Sequence, residues 1–241
     1  MKRIMEAVQA WIEKYMVPVM NKITSTYWFG IISDAVLYVV PFCMVSAIPS
    51  LWSVLRNFIP VLPDISALNT YSFGLIGLFV SFIIPHNVAV KEGKRDRAMI
   101  AGFTSIGVYM MCMNAQAVEG GMLFDMNKFG AGGMFTALFV GFIVGFIYKK
   151  TCSKSFFGED SVIPDFVKNW FDNILSVLIS LFVGFLLTFV AKVDVFSVVA
   201  LVMSPITGFA QSLPGVVLIV VIQNMLYFFG ISGWVTTPVT R

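Results

Sequence analysis

The chain has 241 residues, 58% of them hydrophobic and 12% charged, with a mean hydropathy of +0.88 and a formal net charge of +3. Soluble domains are roughly a quarter charged, and 24 Phe and 14 Met against 13 acids leave too little polar surface to cover a water-soluble core. A soluble enzyme is therefore excluded and an integral membrane protein implied.

The charge is too small and too dispersed to suggest nucleic acid. The three cysteines, Cys43, Cys112 and Cys152, are scattered and odd in number, which argues against a disulfide framework and a zinc site. The single histidine, His86, argues against a histidine-phosphorylated carrier or a haem protein, so no metal or cofactor is expected.

From Ile4 to Ile23 the apolar residues Ile4, Val8, Trp11, Ile12, Tyr15 and Val19 recur at helical spacing, with charges opposite. Residues 1–24 thus read as an amphipathic helix lying in the membrane interface. The alternative is a helix packed on a neighbouring subunit. Glu6, Glu13, Lys14 and Lys22 among the apolar residues do not fit a cleavable signal peptide.

Residues 25–241 read as a transmembrane domain of about six helices, giving an all-α polytopic fold. Tyr27 to Trp52 is long enough to cross and contains Asp34, Pro41 and Pro49. Asp34 reads as a carboxylate near the headgroups, paired with Lys22 or another base, the alternative being a role in transport. A polar link from Arg56 to Ser72 leads to a second span, Phe73 to Val90, with His86 at the interface near its end. The run from Lys91 to Arg97 is too charged for a bilayer and is expected to form an aqueous loop.

A third span covers Ala98 to Met113, a glycine-bearing loop Asn114 to Lys128, and a fourth span Gly130 to Tyr148. In the fourth, Gly133, Ala137, Gly141 and Gly145 recur every four residues and make a groove for another helix, within the subunit or between subunits. The polar segment Lys149 to Asp172 precedes a fifth span, Ile174 to Ala191. Val195 to Ala210, with Ser204-Pro205 and Gly208, reads as an interfacial or a broken helix. Pro214 to Phe229 is the sixth span.

With the amino terminus on the cytoplasmic side, thirteen of the sixteen basic residues fall in inside segments. Arg56, Lys128 and Lys192 fall outside. That is the bias of the positive-inside rule.

The stretch Gln223-Asn224-Met225-Leu226-Tyr227-Phe228-Phe229-Gly230-Ile231-Ser232-Gly233-Trp234 puts two amides, aromatic bulk and two glycines at membrane depth. Polar groups and interrupted helices there are tolerated against protein or a water-filled cavity, so this stretch is the candidate lining of a substrate path.

Tyr227 to Gly233 is similar to the W-F-F-G-I-H-G signature of the membrane permease, enzyme IIC, of the bacterial phosphoenolpyruvate-dependent sugar phosphotransferase system, in its lactose, cellobiose and diacetylchitobiose branch. Asp160-Ser161-Val162-Ile163-Pro164-Asp165-Phe166-Val167 with Phe171 resembles the D-S-V-P-x-x-V-x-x-x-F start of that family's fifth helix, with one residue inserted. Glu92-Gly93-Lys94-Arg95-Asp96 with Ala101-Gly102 is similar to its charged loop between the second and third helices. The resemblance spans about residues 20–234.

The resemblance implies a sugar-binding surface at Gln223, Asn224, Tyr227, Gly230 and Ser232, with no catalytic residue. Ser232 stands where the family has a histidine implicated in sugar binding, and Tyr227 where it has tryptophan. A hydroxyl still hydrogen-bonds a sugar and a phenol still stacks on a pyranose face, but proton handling at 232 is lost. The partners implied are a sugar of the β-linked disaccharide class such as cellobiose or chitobiose, the bilayer, a second copy of the chain, and a cysteine-phosphorylated cytoplasmic IIB component docking on loops 91–97 and 149–168. The implied location is the bacterial inner membrane, and the phosphoryl chemistry belongs to IIB. Family members are about twice this length and carry an N-E-P motif in their later half, so a fragment or truncated product is expected. The alternative is a non-transporting scaffold or assembly subunit. An intramembrane enzyme finds no paired catalytic motif.

Overall fold

The computed structural model describes residues 26–151 and 164–228. The expected interfacial helix of residues 1–24 lies outside the described residues. Helix α1, Tyr27–Phe58, is the first crossing and carries Pro41 and Pro49 within it. It runs six residues past the expected Trp52 because the following link folds back on its end. Arg56 pairs with Asp64 at 3.0 Å, and the Trp52 indole N–H donates to the Pro63 carbonyl at 2.8 Å. The link itself contains the short helix α2, Ala67–Tyr71.

A 3-10 turn, Phe73–Leu75, leads into α3, Ile76–Lys91. A tight turn whose Gly93 has φ +77° reverses the chain into α4, Arg95–Cys112. The loop between the second and third spans is therefore only residues 92–94. Arg95, Asp96 and Arg97 form the first turn of α4, which corrects their expected place in an aqueous loop.

Beyond α4 the chain forms a hairpin of β1, Gln116–Val118, and β2, Gly121–Leu123, turning through Gly120 at φ +91°. Two 3-10 turns, Met126–Lys128 and Ala131–Gly133, precede α5, Met134–Thr151. Helix α6, Asp165–Phe185, continues into a π-helical segment, Leu186–Val190. Helices α7, Val195–Gln211, and α8, Leu213–Phe228, then follow with only Ser212 between them.

Among the described residues, four helical stretches are long and apolar enough to cross a membrane: Tyr27–Phe58, Ala67–Lys91, Ala131–Thr151 and Val167–Val190. The pair α7–α8 makes a fifth if taken as one span bent by 86°. Helix α4 spans 18 residues between α3 and α5 but opens on three charges. The expected all-α membrane fold is observed. The segment 195–210 forms one unbroken helix, the first arm of a bent pair whose second arm was expected to cross alone.

The core lies where α3, α4 and α5 meet, around Val80, Ile84, Val88, Ala101, Val108, Val140 and Val144, all at most 2% exposed. Small residues set this spacing. A Cβ on Gly141 would lie 3.0 Å from Ile84, and one on Gly145 3.0 Å from Val88, so two of the four-residue steps in α5 seat the side chains of α3. The seam is thus an intrasubunit contact, as expected of small residues one turn apart. On the other side of α3, a Cβ on Gly102 would enter the Phe82 ring.

Candidate functional site

The clearest polar chemistry among the described residues gathers where α1, α3, α4, α5 and α6 begin or end on one membrane face. The Tyr27 hydroxyl donates to Glu92 Oε1 at 2.6 Å, and Lys149 Nζ lies 3.6 Å from the same oxygen. Lys91 Nζ donates to the Tyr27 carbonyl at 3.1 Å. The two ammonium groups lie 4.6 Å (Lys91) and 3.5 Å (Lys149) from the centre of the Tyr27 ring, a cation–π arrangement. These contacts tie the start of α1 to the ends of α3 and α5.

The start of α4 is tied more firmly. Arg97 Nη2 donates to Asp172 Oδ2 at 2.6 Å, with side-chain exposures of 5% and 3%. Both residues had been expected in water-facing segments. Burial of an ion from water costs several kcal/mol and is tolerated when the charge is met at hydrogen-bonding distance. Deeper between the same helices, Thr104 Oγ1 meets the Tyr148 hydroxyl at 3.1 Å, and Ser176 Oγ donates to Thr151 Oγ1 at 2.7 Å. The only hint in the sequence is that both charges flank apolar runs on the same predicted side.

Of the expected docking loops, 91–97 is exposed from Lys91 to Asp96, with Lys91 and Glu92 also tied to Tyr27. Lys94 and Arg95 are exposed at its turn, whereas Arg97 is buried. The second loop, 149–168, is described only at 149–151 and 164–168.

Asp34 is exposed on α1 and has no ion pair among the described residues, so the expected pairing with another base is not seen there. His86 is half-buried, stacked on Phe82 with ring centres 5.8 Å apart, and its Nδ1 lies 3.2 Å from Asn87 Oδ1. It lies five residues before the end of α3.

On the opposite face, the Tyr109 hydroxyl donates to the carbonyl of Lys128 at 2.8 Å, and the Gly77 amide donates to that of Phe129 at 2.8 Å. Asp194 caps α7. Its carboxylate accepts from the Ser197 amide at 3.2 Å and the Ser197 hydroxyl at 2.8 Å. Burial pushes the Asp194 pKa upward, but the Ser197 hydrogen bonds and the charge of Lys128 outweigh it and hold the group below its ordinary value.

The predicted substrate stretch enters the structure through α8, which carries Gln223, Asn224 and Tyr227 on one helix. Asn224 is exposed, and its side-chain amide donates to the Val220 carbonyl of its own helix at 2.7 Å. That bond satisfies one polar group at membrane depth while leaving its Oδ1 to accept. The side chains of Gln223 and Tyr227, and Gly230 and Ser232 as a whole, lie outside the described residues. A groove of about 480 Å³ between α5 and α7 has apolar side chains only, so it offers a sugar no hydrogen-bond partner. Among the described residues, no three His, Cys, Asp or Glu side chains gather as metal ligands.

A family model described as "Phosphotransferase system, EIIC" matches residues 30–240. The fold is similar to the crystal structure of ChbC, described as the IIC component of the N,N'-diacetylchitobiose-specific phosphotransferase system, with a TM-score of 0.71 and 19% identity. That match covers 95% of this chain and 58% of ChbC, so the chain spans less than two thirds of the structure it resembles. No curated protein matches it significantly.

Proposed function

Since the chain belongs to the phosphotransferase system EIIC family, we propose that it forms the sugar-specific permease component of such a system. In this reading it imports a β-linked disaccharide of the cellobiose or chitobiose type, and a separate IIB component phosphorylates the sugar. The observation that carries the reading is the match over residues 30–240, which takes in both the helical bundle and the stretch 223–233. The similarity in fold to a diacetylchitobiose-specific IIC component supports the substrate class.

In this reading Gln223, Asn224 and Ser232 hydrogen-bond sugar hydroxyls, Tyr227 stacks on a ring face and Gly230 allows close approach. The exposed end of Asn224 is consistent with that task. The chain lies in the bacterial inner membrane with its amino terminus cytoplasmic, on the positive-inside argument. The face bearing Lys91, Lys94, Arg95 and Lys149 then meets IIB, and the chain works as a homodimer.

The test is calorimetric titration of the purified chain in detergent with N,N'-diacetylchitobiose and cellobiose, alongside Tyr227→Ala. Saturable binding that the substitution weakens supports the permease reading. Its absence in a chain that keeps its helical circular dichroism favours the scaffold reading.

A further inference from the structure

The groove between α5 and α7 has a composition and charged neighbours that point to one kind of occupant. Phe135, Phe139 and Phe142 line one wall, Val198, Val199 and Val202 the other, and every remaining lining side chain is apolar too. Along α5 the lining runs from Phe135 to Phe142, about 10 Å at 1.5 Å per residue. Seams between helices use small residues that let backbones approach. This lining has none, so it suits a flexible hydrocarbon chain better than another helix.

Val193 and Val195, which line the groove, flank Asp194. Lys192, next to Val193 in the chain, is exposed and held at φ +50°. Lys128 Nζ lies 5.0 Å from the centre of the Phe196 ring, and its charge acts on Asp194. The Asp194 carboxylate is already engaged by Ser197. Two cations against one occupied carboxylate leave a net positive cluster next to the lining residues Val193 and Val195.

We propose that this groove holds one acyl chain of an anionic phospholipid whose phosphate lies on Lys192 and Lys128. The inference stands apart from the sugar reading, since it needs only that the bundle spans a membrane. It places a structural lipid under the bent pair α7–α8, on the face opposite the Lys91–Arg97 turn.

Native mass spectrometry of the full chain in detergent, titrated with phosphatidylglycerol or phosphatidylcholine of the same acyl composition, tests it. Phosphatidylglycerol should bind more tightly, and Lys192→Gln should lower its affinity about fivefold, the effect of one basic residue at a membrane surface, leaving phosphatidylcholine unchanged. Val198→Phe and Val202→Phe fill the slot from half-exposed positions and should each displace both lipids while the chain remains folded. Equal binding of the two lipids by the parent, or undiminished phosphatidylglycerol binding in both filled variants, overturns the proposal. Displacement of the lipid by excess inorganic phosphate also overturns it, as does loss of an oligomer in the filled variants with lipid binding intact.

Discussion

Removing one member of the Arg97–Asp172 pair tests how the bundle is fastened. The two side chains are 5% and 3% exposed and meet at 2.6 Å, so Arg97→Leu takes an ionic partner from a buried carboxylate and Asp172→Leu one from a buried guanidinium. Breaking a buried pair from one side costs about 3–5 kcal/mol, on the order of a hundredfold or more in the unfolding equilibrium constant. Replacing both with leucine removes the charges together, and such exchanges are often neutral. The double variant is therefore expected within about 1 kcal/mol of the parent. The assay is reversible unfolding in mixed micelles by rising dodecyl sulfate fraction, followed by circular dichroism. Single variants within about 1 kcal/mol of the parent, or a double variant costing the sum of the singles, would refute the reasoning.

In the same assay Gly133→Ala is expected to cost about 1–3 kcal/mol, because its Cβ would run into the Lys128 carbonyl, which is backbone. Gly141→Ala should cost less, since only the Ile84 side chain must yield; the reverse order would contradict the packing described. Tyr227→Ala, in a chain that binds disaccharide, should weaken binding by about 1–3 kcal/mol, and an unchanged titration removes Tyr227 from the site. The Asp194 carboxylate is held below its ordinary 3.8, so it stabilises the fold at neutral pH and loses that contribution as the pH falls through 3.8 and below. Thermal unfolding of Asp194→Asn should thus trail the parent at pH 7, by less than about 1 kcal/mol for so exposed a group, and the gap should close as the pH falls below 3.8. A difference that grows on acidification is the contrary result.

Much of this fold is visible in hydropathy alone, because apolar runs of about twenty residues have few alternatives to crossing a membrane. The four-residue repeat of small residues in α5 likewise announces a helix contact, though only the structure shows Ile84 and Val88 of α3 filling it. Long-range pairing is what the pattern hides. Nothing local marks Arg97 as a buried residue, since its neighbours Lys94 and Arg95 are exposed and its partner lies 75 residues on. The 86° bend at Ser212 was hinted at by Pro205 and Gly208, yet it falls after both. Of the candidate sugar site, residue types were legible and geometry was not: Asn224 is the one member whose side chain is described, and its bond to Val220 belongs to its own helix.

The pairing of Arg97 with Asp172 also bears on the order in which the protein is built. Helix α4 begins Arg95-Asp96-Arg97, and lipid alone is a poor solvent for that turn. Asp172 emerges 75 residues later, about 4–15 s at ordinary rates of synthesis. Until then the guanidinium is best served by staying at the headgroups, so α4 reaches its final depth only after α6 has arrived.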